Sequence, residues 1–330
     1  MPDVKNTYIA GTGASLPEHV ITNKYLESLV DTSDEWIITR TGIRERRKLE
    51  DGSTGVDLSE NASREALKNA GISAEEIDLI IVATVTPDHP TPSSACILQS
   101  RLGALKAAAF DISAGCTGFI YATAVAHQFM STGLYQNVLV VGVEILTRYT
   151  NWEDRSTCVL FGDGAGAVVL RQTDDAERGI IDFQLKSDGR GADLLIIPAG
   201  GNAMPASEES LKNNLHTIKM NGNEIFKFVV KAIEEVIVCM LESNNYKPED
   251  VDFLFLHQAN LRIVEHVRKR MKLPQEKVPA NIDRFGNTSS ATIPIMLHEE
   301  VTAGRLTRGN LIGMGAFGAG ITWGGIIMKW

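Results

Sequence analysis

The chain has 330 residues, 44% of them hydrophobic and 22% charged, with a net charge of -9 at pH 7. That length buries a large core, as one large domain or two medium ones, and the acidic balance argues against general nucleic-acid binding. Apolar runs such as IDLIIVATV and NVLVVGV fall far short of the roughly twenty residues of a membrane span, so no membrane role is expected.

The four cysteines (Cys96, Cys116, Cys158, Cys239) form no CxxC pair, and the stretch MPDVKNTYIAG has no apolar run of the signal-peptide kind. A reducing, cytoplasmic setting without disulfides is the expectation. In chain order, DLSENASREALKNAG reads as a helix and Glu75–Val85, EEIDLIIVATV, as a buried strand. Next, AFDISAGCTGFIYATAV runs from an apolar strand into an apolar helix over Thr117–Met130, and Asn137–Ile145 and Gly162–Leu170 read as further strands. In the second half GNEIFKFVVKAIEEVIVCMLES reads as a helix and EDVDFLFLH, Glu249–His257, as a strand. The segment ANIDRFGNTSSATIPIML, Ala280–Leu297, repeats strand, glycine turn and buried helix, the helix covering Ser289–Glu299. Strands at Asn310–Gly318 and Ala319–Met328 close the chain.

These segments fall into two series in the same order, which reads as an internal duplication. We divide the chain at 1–172 and 173–330. Strand and helix alternating in each half predict a mostly parallel sheet with helices on its faces. Two such halves, with the apolar helices between them, make a layered αβαβα body. Duplication places Cys116 and Asn287 at equivalent points that should meet between the halves.

Cys116 stands between Gly115 and Gly118, where a strand hands over to a helix. Glycines permit a sharp turn and a close ligand, and the helix N-terminus favours thiolate over thiol. The residue reads either as a nucleophile or as a small buried hydrophobe. His257 closes an apolar strand, so it is either a hydrogen-bonded core-edge residue or, with Asn287, one of a pair of N–H donors for a developing oxyanion. Gly313–Gly318, GMGAFG, matches the dinucleotide pattern GxGxxG, but another strand follows rather than a helix, which argues against NAD. No histidine pair has metal-ligand spacing such as HxxxH.

The segments DTSDEWIITRTGIRERR, DISAGCTGF, FGDGAGAVVL, FLHQANLRI, FGNTSSAT and GMGAFGAGITWG, in that order along nearly the whole chain, resemble the β-ketoacyl-acyl-carrier-protein synthase III family of the thiolase superfamily. The resemblance implies a thiolase-like fold, a homodimer and a decarboxylative Claisen condensation between a short acyl-CoA and malonyl-acyl carrier protein. It implies a catalytic triad of Cys116, His257 and Asn287, an oxyanion hole from the N–H groups of Cys116 and Ala319, and a shielding aromatic at Phe317. It places the CoA adenine between Trp36 and Arg155, with Thr32 and Arg40 nearby, and lines the pantetheine tunnel with Met220, Gly222, Asn223, Phe226, Ala259 and Asn260. The loop bearing Thr91 would reach a partner's acyl pocket, where a small residue leaves room for chains longer or more branched than acetyl.

No metal or resident cofactor is implied; CoA thioesters are substrates. On the helix after His257 a basic cluster reads as a solvated face or as a docking patch for the acidic carrier protein, with Lys227, Arg262 and Lys269 as contacts. Three alternatives remain: a sister Cys-His-Asn condensing enzyme such as a hydroxymethylglutaryl-CoA synthase or a polyketide synthase, a cysteine hydrolase, or a non-enzymatic acyl-CoA-binding module.

Overall fold

A computed structural model describes residues 5–175 and 177–330; the first four residues of the MPDVKNTYIAG stretch lie outside it. The strand Leu79–Ala83 is buried at every position, as a β-branched run without alternation requires: both its faces are covered. It lies near the centre of a five-stranded sheet ordered Asn6–Ser15, Asp163–Thr173, Asn137–Ile145, Leu79–Ala83, Ala108–Ile112. Along that order the pairings run antiparallel, antiparallel, parallel, parallel. A second sheet is ordered Gly179–Ser187, Thr322–Lys329, Leu311–Gly318, Phe253–Leu256, with antiparallel, antiparallel and parallel pairings. The four shared strands thus repeat in order and direction, and only the edge strand Ala108–Ile112 lacks a counterpart.

The sheets are mixed rather than mostly parallel, which corrects the expectation. Between Gly318 and Thr322 only a short turn intervenes, and a parallel return needs a crossover of about a dozen residues or more. The predicted strand in ANIDRF is also absent. Ile282 and Phe285, three apart, bury one side of the short helix Ile282–Phe285. The chain then extends for a single parallel bridge, Asn287 to Phe161.

The helices Gly118–Ser131 and Thr292–Thr302 each touch strands of both sheets. Their apolar side chains, Phe119, Ile120 and Met130 in one and Ile293, Ile295 and Leu297 in the other, are buried, as all-round hydrophobicity demands of a central layer. Outside, Gly55–Ala70 covers the first sheet and Gly222–Ser243 the second. The latter buries Val229, Ile233, Val236, Ile237 and Met240 at helical spacing, and Leu261–Arg270 packs against it. The result is the αβαβα order of a thiolase-like fold. In the central layer the turns that precede the two inner helices, Gly115–Thr117 and Ser289–Ala291, pack against each other.

Gly142 shows how tight that centre is: a Cβ there would stand 2.3 Å from the carbonyl oxygen of Ser290. Because the obstacle is backbone, Gly142→Ala is expected to destabilise by about 1–3 kcal/mol. Urea unfolding checks this; an unchanged midpoint would show that the layers separate without cost.

Candidate active site

Cys116 sits in the single 3-10 turn Gly115–Thr117, directly before the helix Gly118–Ser131. Gly115 has a φ of 56°, and a Cβ on Gly318 would lie 2.4 Å from the Cys116 nitrogen. Both glycines are therefore required for the strand end at Gly318 to reach the Cys116 turn. This contact brings the Ala319 nitrogen beside the turn, 2.7 Å from where a Gly115 Cβ would be. Neither the Cys116 nor the Ala319 N–H is taken up by another backbone carbonyl among the described residues. Two donors next to a sulfur suit the oxygen of a tetrahedral intermediate.

The sulfur itself departs from expectation. Burial pushes the Cys116 thiol up to about 12, the Ser289 side chain opposing and the nearby Glu144 adding to the shift. The residue is half-buried at the edge of an apolar cavity, and removing an anion from water outweighs what the helix N-terminus returns. The resting group is a thiol, so its proton must leave as the electrophile is attacked.

His257 follows the strand Phe253–Leu256, its N–H bonded to the Gly315 carbonyl at 2.8 Å. The imidazole is buried, and neither ring nitrogen has a partner among the described residues. Burial lowers it to about 3, so it is neutral and offers one N–H. Phe317 packs edge-on against it with ring centroids 5.2 Å apart. Asn287 is fixed by backbone bonds to Leu160 and Gly162, and its Oδ1 accepts the Ser289 N–H at 2.9 Å. That bond leaves the amide NH2 as the outward donor. Gly318 lies against Cys116 and the adjacent Phe317 against His257, while Asn287 holds Ser289, which lines the cavity beside the sulfur.

An apolar cavity of about 150 Å³ opens beside the sulfur, lined by Cys116, Ser289 and Ala319 and walled by Val85, Leu146, Phe161, Leu195, Ile196, Ile197 and Ile218. A larger surface depression, about 810 Å³, lies between the helices Leu261–Arg270 and Thr292–Thr302 and holds none of the three residues. The cavity walls escaped the sequence reading, although the apolar run LLIIP at Leu194–Pro198 between polar loops was a usable signal. Thr91 lines a depression with His89, Ser93, Asp111 and Ser113, and Val85 borders both this depression and the cavity beside the sulfur. Glu144 was also missed; a lone carboxylate in the apolar strand NVLVVGVEI was the signal.

The residues anticipated for CoA lie in a connected line. Arg155 stands 4.7 Å from the Trp36 ring centroid and Arg40 6.0 Å from it, and Asn260 bonds the Arg40 carbonyl at 3.0 Å. Met220 shares an apolar cluster with Trp36, Leu195 and Ile218, so the line adjoins the cavity wall. Gly222, Asn223 and Phe226 occupy the first turns of the helix Gly222–Ser243, with Arg262 5.5 Å from the Phe226 ring and Ala259 in the apolar cluster that includes Phe226. The Thr32 hydroxyl is buried without a partner among the described residues. At 4.7 Å the Trp36–Arg155 pair is closed on itself; a planar ring between them needs about 7 Å, twice a van der Waals contact. Arg155, held by the Asp31 carbonyl at 2.6 Å, has to swing out to admit one.

Among the basic residues, Arg268 is paired with Glu265, Arg270 with Glu234 and Lys227 with Glu224. Arg262 and Lys269 make no ion pair among the described residues, although the Lys269 charge acts on Glu265.

A duplicated five-layer body, with a cysteine at the inner end of one central helix and neutral N–H donors brought to it from the other half, defines a condensing acyltransferase of the thiolase-like fold. Residues 110–189 match the family described as 3-oxoacyl-[acyl-carrier-protein] synthase III, and residues 241–330 match its C-terminal part. The chain is 53% identical, over 98% of its length and 97% of the relative's, to a β-ketoacyl-[acyl-carrier-protein] synthase III from Caldanaerobacter subterraneus subsp. tengcongensis, and 50% identical at the same coverage to one from Symbiobacterium thermophilum. The crystal structure of 3-oxoacyl-[acyl-carrier-protein] synthase III from Aquifex aeolicus superposes with a TM-score of 0.90 at 46% identity, covering 98% of this chain and all of that one. This chain belongs to the β-ketoacyl-acyl-carrier-protein synthase III family.

The neutral His257 carries a stability signature. Its folded value near 3 lies below the ordinary 6.5, so below pH 6.5 the unfolded chain binds a proton that the folded one does not, and stability falls as pH drops from about 6.5 towards 3. His257→Gln removes that component: chemical unfolding between pH 6.5 and 4.5 is expected to show a shallower loss of stability than in the wild type.

Proposed function

We propose that the chain joins a short acyl group, delivered on CoA, to malonyl-acyl carrier protein with loss of CO2, and so initiates fatty acid synthesis. Cys116 attacks the thioester carbonyl while the Cys116 and Ala319 N–H groups receive the oxyanion. CoA leaves and an acyl-cysteine remains. The malonyl thioester then enters, and its carbonyl oxygen accepts hydrogen bonds from His257 and Asn287. CO2 departs, leaving an enolate held by two neutral donors. The enolate carbon attacks the acyl-cysteine carbonyl, the C–S bond breaks, and β-ketoacyl carrier protein is released.

What carries this reading is the buried, unpartnered, neutral His257 beside a cysteine that faces an apolar cavity. A hydrolase of the Cys-His type uses its imidazole as a base with an orienting partner, and here there is neither a partner nor basicity. The scheme draws on no metal or resident cofactor. No helix among the described residues is long and apolar enough to cross a membrane. The reaction is assigned to the cytoplasm. Trp36, Arg155, Thr32, Arg40 and the line to Asn260 serve CoA, while Arg262 and Lys269, with Lys227 beside them, serve the carrier protein. The unpaired edge of strand Ala108–Ile112, with Thr91 beside it, suits a second copy of the chain.

A cavity of about 150 Å³ equals roughly five water volumes and is of the size that holds benzene, more than an acetyl methyl fills. Turnover with a panel of acyl-CoAs is expected to give isobutyryl- and butyryl-CoA kcat/KM values within about tenfold of acetyl-CoA, a methylene being worth about 1–3 kcal/mol. Strict acetyl preference would sink this reading of the pocket. Intact-mass measurement after incubation with acetyl-CoA is expected to show one acetyl adduct on the wild type and none on Cys116→Ala. His257→Ala is expected to acylate yet fail to decarboxylate malonyl-acyl carrier protein; equal loss of both steps would contradict the division of labour.

A further inference from the structure

The scheme above leaves one step without an agent: the thiol must lose its proton, and the only nearby imidazole is no base. Glu144 is the next-to-last residue of the strand Asn137–Ile145 and is completely buried. It makes no ion pair among the described residues. Its Oε2 accepts the Thr86 hydroxyl at 2.7 Å and the Val85 N–H at 3.2 Å; its Oε1 lies 3.1 Å from each of the Ser289 and Ser290 hydroxyls. Thr84 Oγ1, at 3.5 Å, is the remaining polar neighbour. The Ser289 side chain lines the same cavity as Cys116 and acts to lower the thiol against its burial. One residue therefore adjoins both the cysteine and the carboxyl group.

Two details fit a group that changes protonation state. Ser290 Oγ lies 2.9 Å from the Ala83 carbonyl as well as 3.1 Å from Glu144, and it has one proton. Donating that proton to Ala83, it is free to accept from a protonated Glu144; donating to Glu144, it solvates the carboxylate. Ser289 itself is held at φ 49°, a left-handed conformation that a serine adopts at a cost. From that conformation its hydroxyl reaches Glu144 at 3.1 Å.

We propose that Glu144 takes the proton of the Cys116 thiol through the Ser289 hydroxyl as an acyl thioester is attacked. The S–H proton passes to Ser289 Oγ, the Ser289 proton passes to Glu144 Oε1, and the freed sulfur electron pair forms the new C–S bond. When the tetrahedral adduct collapses, the bond to the CoA sulfur breaks. The leaving thiolate gains a proton, Glu144 gives one up, and the site returns to its starting charge. Ser289 adjoins the cysteine in the cavity; Glu144 acts through it.

Burial raises Glu144 to about 7, against the pull of Thr86, Val85, Ser289 and Ser290, so it is a stronger base than an ordinary carboxylate and changes state where enzymes work. The titratable groups that feel its charge are Cys116 and Tyr149, and burial raises the Tyr149 phenol, keeping it neutral through that range.

This inference rests on the acyl-transfer reading, and one experiment separates the two. Single-turnover acylation by acetyl-CoA is followed by intact mass from pH 5.5 to 9 in the wild type, Glu144→Gln, Glu144→Asp and Ser289→Ala. An unacylated wild type removes the functional reading itself. Given acylation, the wild-type rate is expected to rise through a midpoint near 7. Glu144→Gln and Ser289→Ala lose that inflection and run about tenfold or more slower at pH 7, the lower end of general-base effects; Glu144→Asp restores part of the rate and the inflection.

A role in charge alone predicts the opposite sign, because removing an anion beside the sulfur eases thiolate formation. Glu144→Gln acylating as fast as the wild type, or faster, at pH 7 overturns the relay. Ser289→Ala keeps the carboxylate and stands in should Glu144→Gln fail to fold. Decarboxylation of malonyl-acyl carrier protein needs no thiolate, so Ser289→Ala is expected to lose acylation by a larger factor than decarboxylation. Parallel loss of both steps would mark Ser289 as a support for Asn287 only, and would also overturn the proposal.

Discussion

The contact on which the rest of this molecule depends is the meeting of two helix-start turns, Gly115–Thr117 and Ser289–Ala291, between two sheets. Each turn opens a helix whose first turns are buried all round, and only the space between the sheets offers such a segment burial on every side. Once both helices are there, their first turns have nowhere to go but against each other. Glycines at 142 and 318 then let a strand of each sheet touch those turns backbone to backbone. The cysteine, the Asn287 amide and the Ala319 N–H gather at one point as a consequence of packing.

Packing also governs the chemistry. Desolvation keeps Cys116 a thiol, His257 a neutral imidazole and Glu144 a base near neutrality, three effects of one cause. A neutral imidazole is the right partner for an enolate, since it donates a hydrogen bond without becoming a proton source that quenches the carbanion. A thiol is the wrong resting form for a nucleophile, and the Ser289–Glu144 pair answers that need from within the same buried volume. The surroundings that disfavour free charge on the sulfur thus place a proton acceptor one hydroxyl away.

Much of this was legible in the chain. Strands such as Leu79–Ala83 and Leu311–Gly318 are short β-branched or glycine-containing runs bounded by polar turns, and periodicity reads those directly. The helix Gly222–Ser243 coincides with its sequence pattern because its apolar positions recur at helical spacing. Sheet direction was not legible in the same way: strands that run parallel and antiparallel look alike as residues, and the short turn Ala319–Ile321 decides the matter through connection length. ANIDRF failed for a different reason. Its apolar residues suit a strand or a helical turn equally, and the absence of an edge strand in the second sheet resolves the choice.

Local residue chemistry by itself pointed to Cys116 and its glycines, the duplicated order of elements, and His257 and Asn287 as candidates, which the family resemblance joined into one site. These are properties of single residues and their near neighbours. Tertiary structure alone decided the protonation of those groups, the cavity made by Leu195–Ile197 with Ile218 and Phe161, the closed Trp36–Arg155 pair and the path from Cys116 to Glu144. Each of these depends on groups far apart in sequence, Ser289 and Glu144 being separated by 145 residues, and on the exclusion of water, which no local pattern encodes.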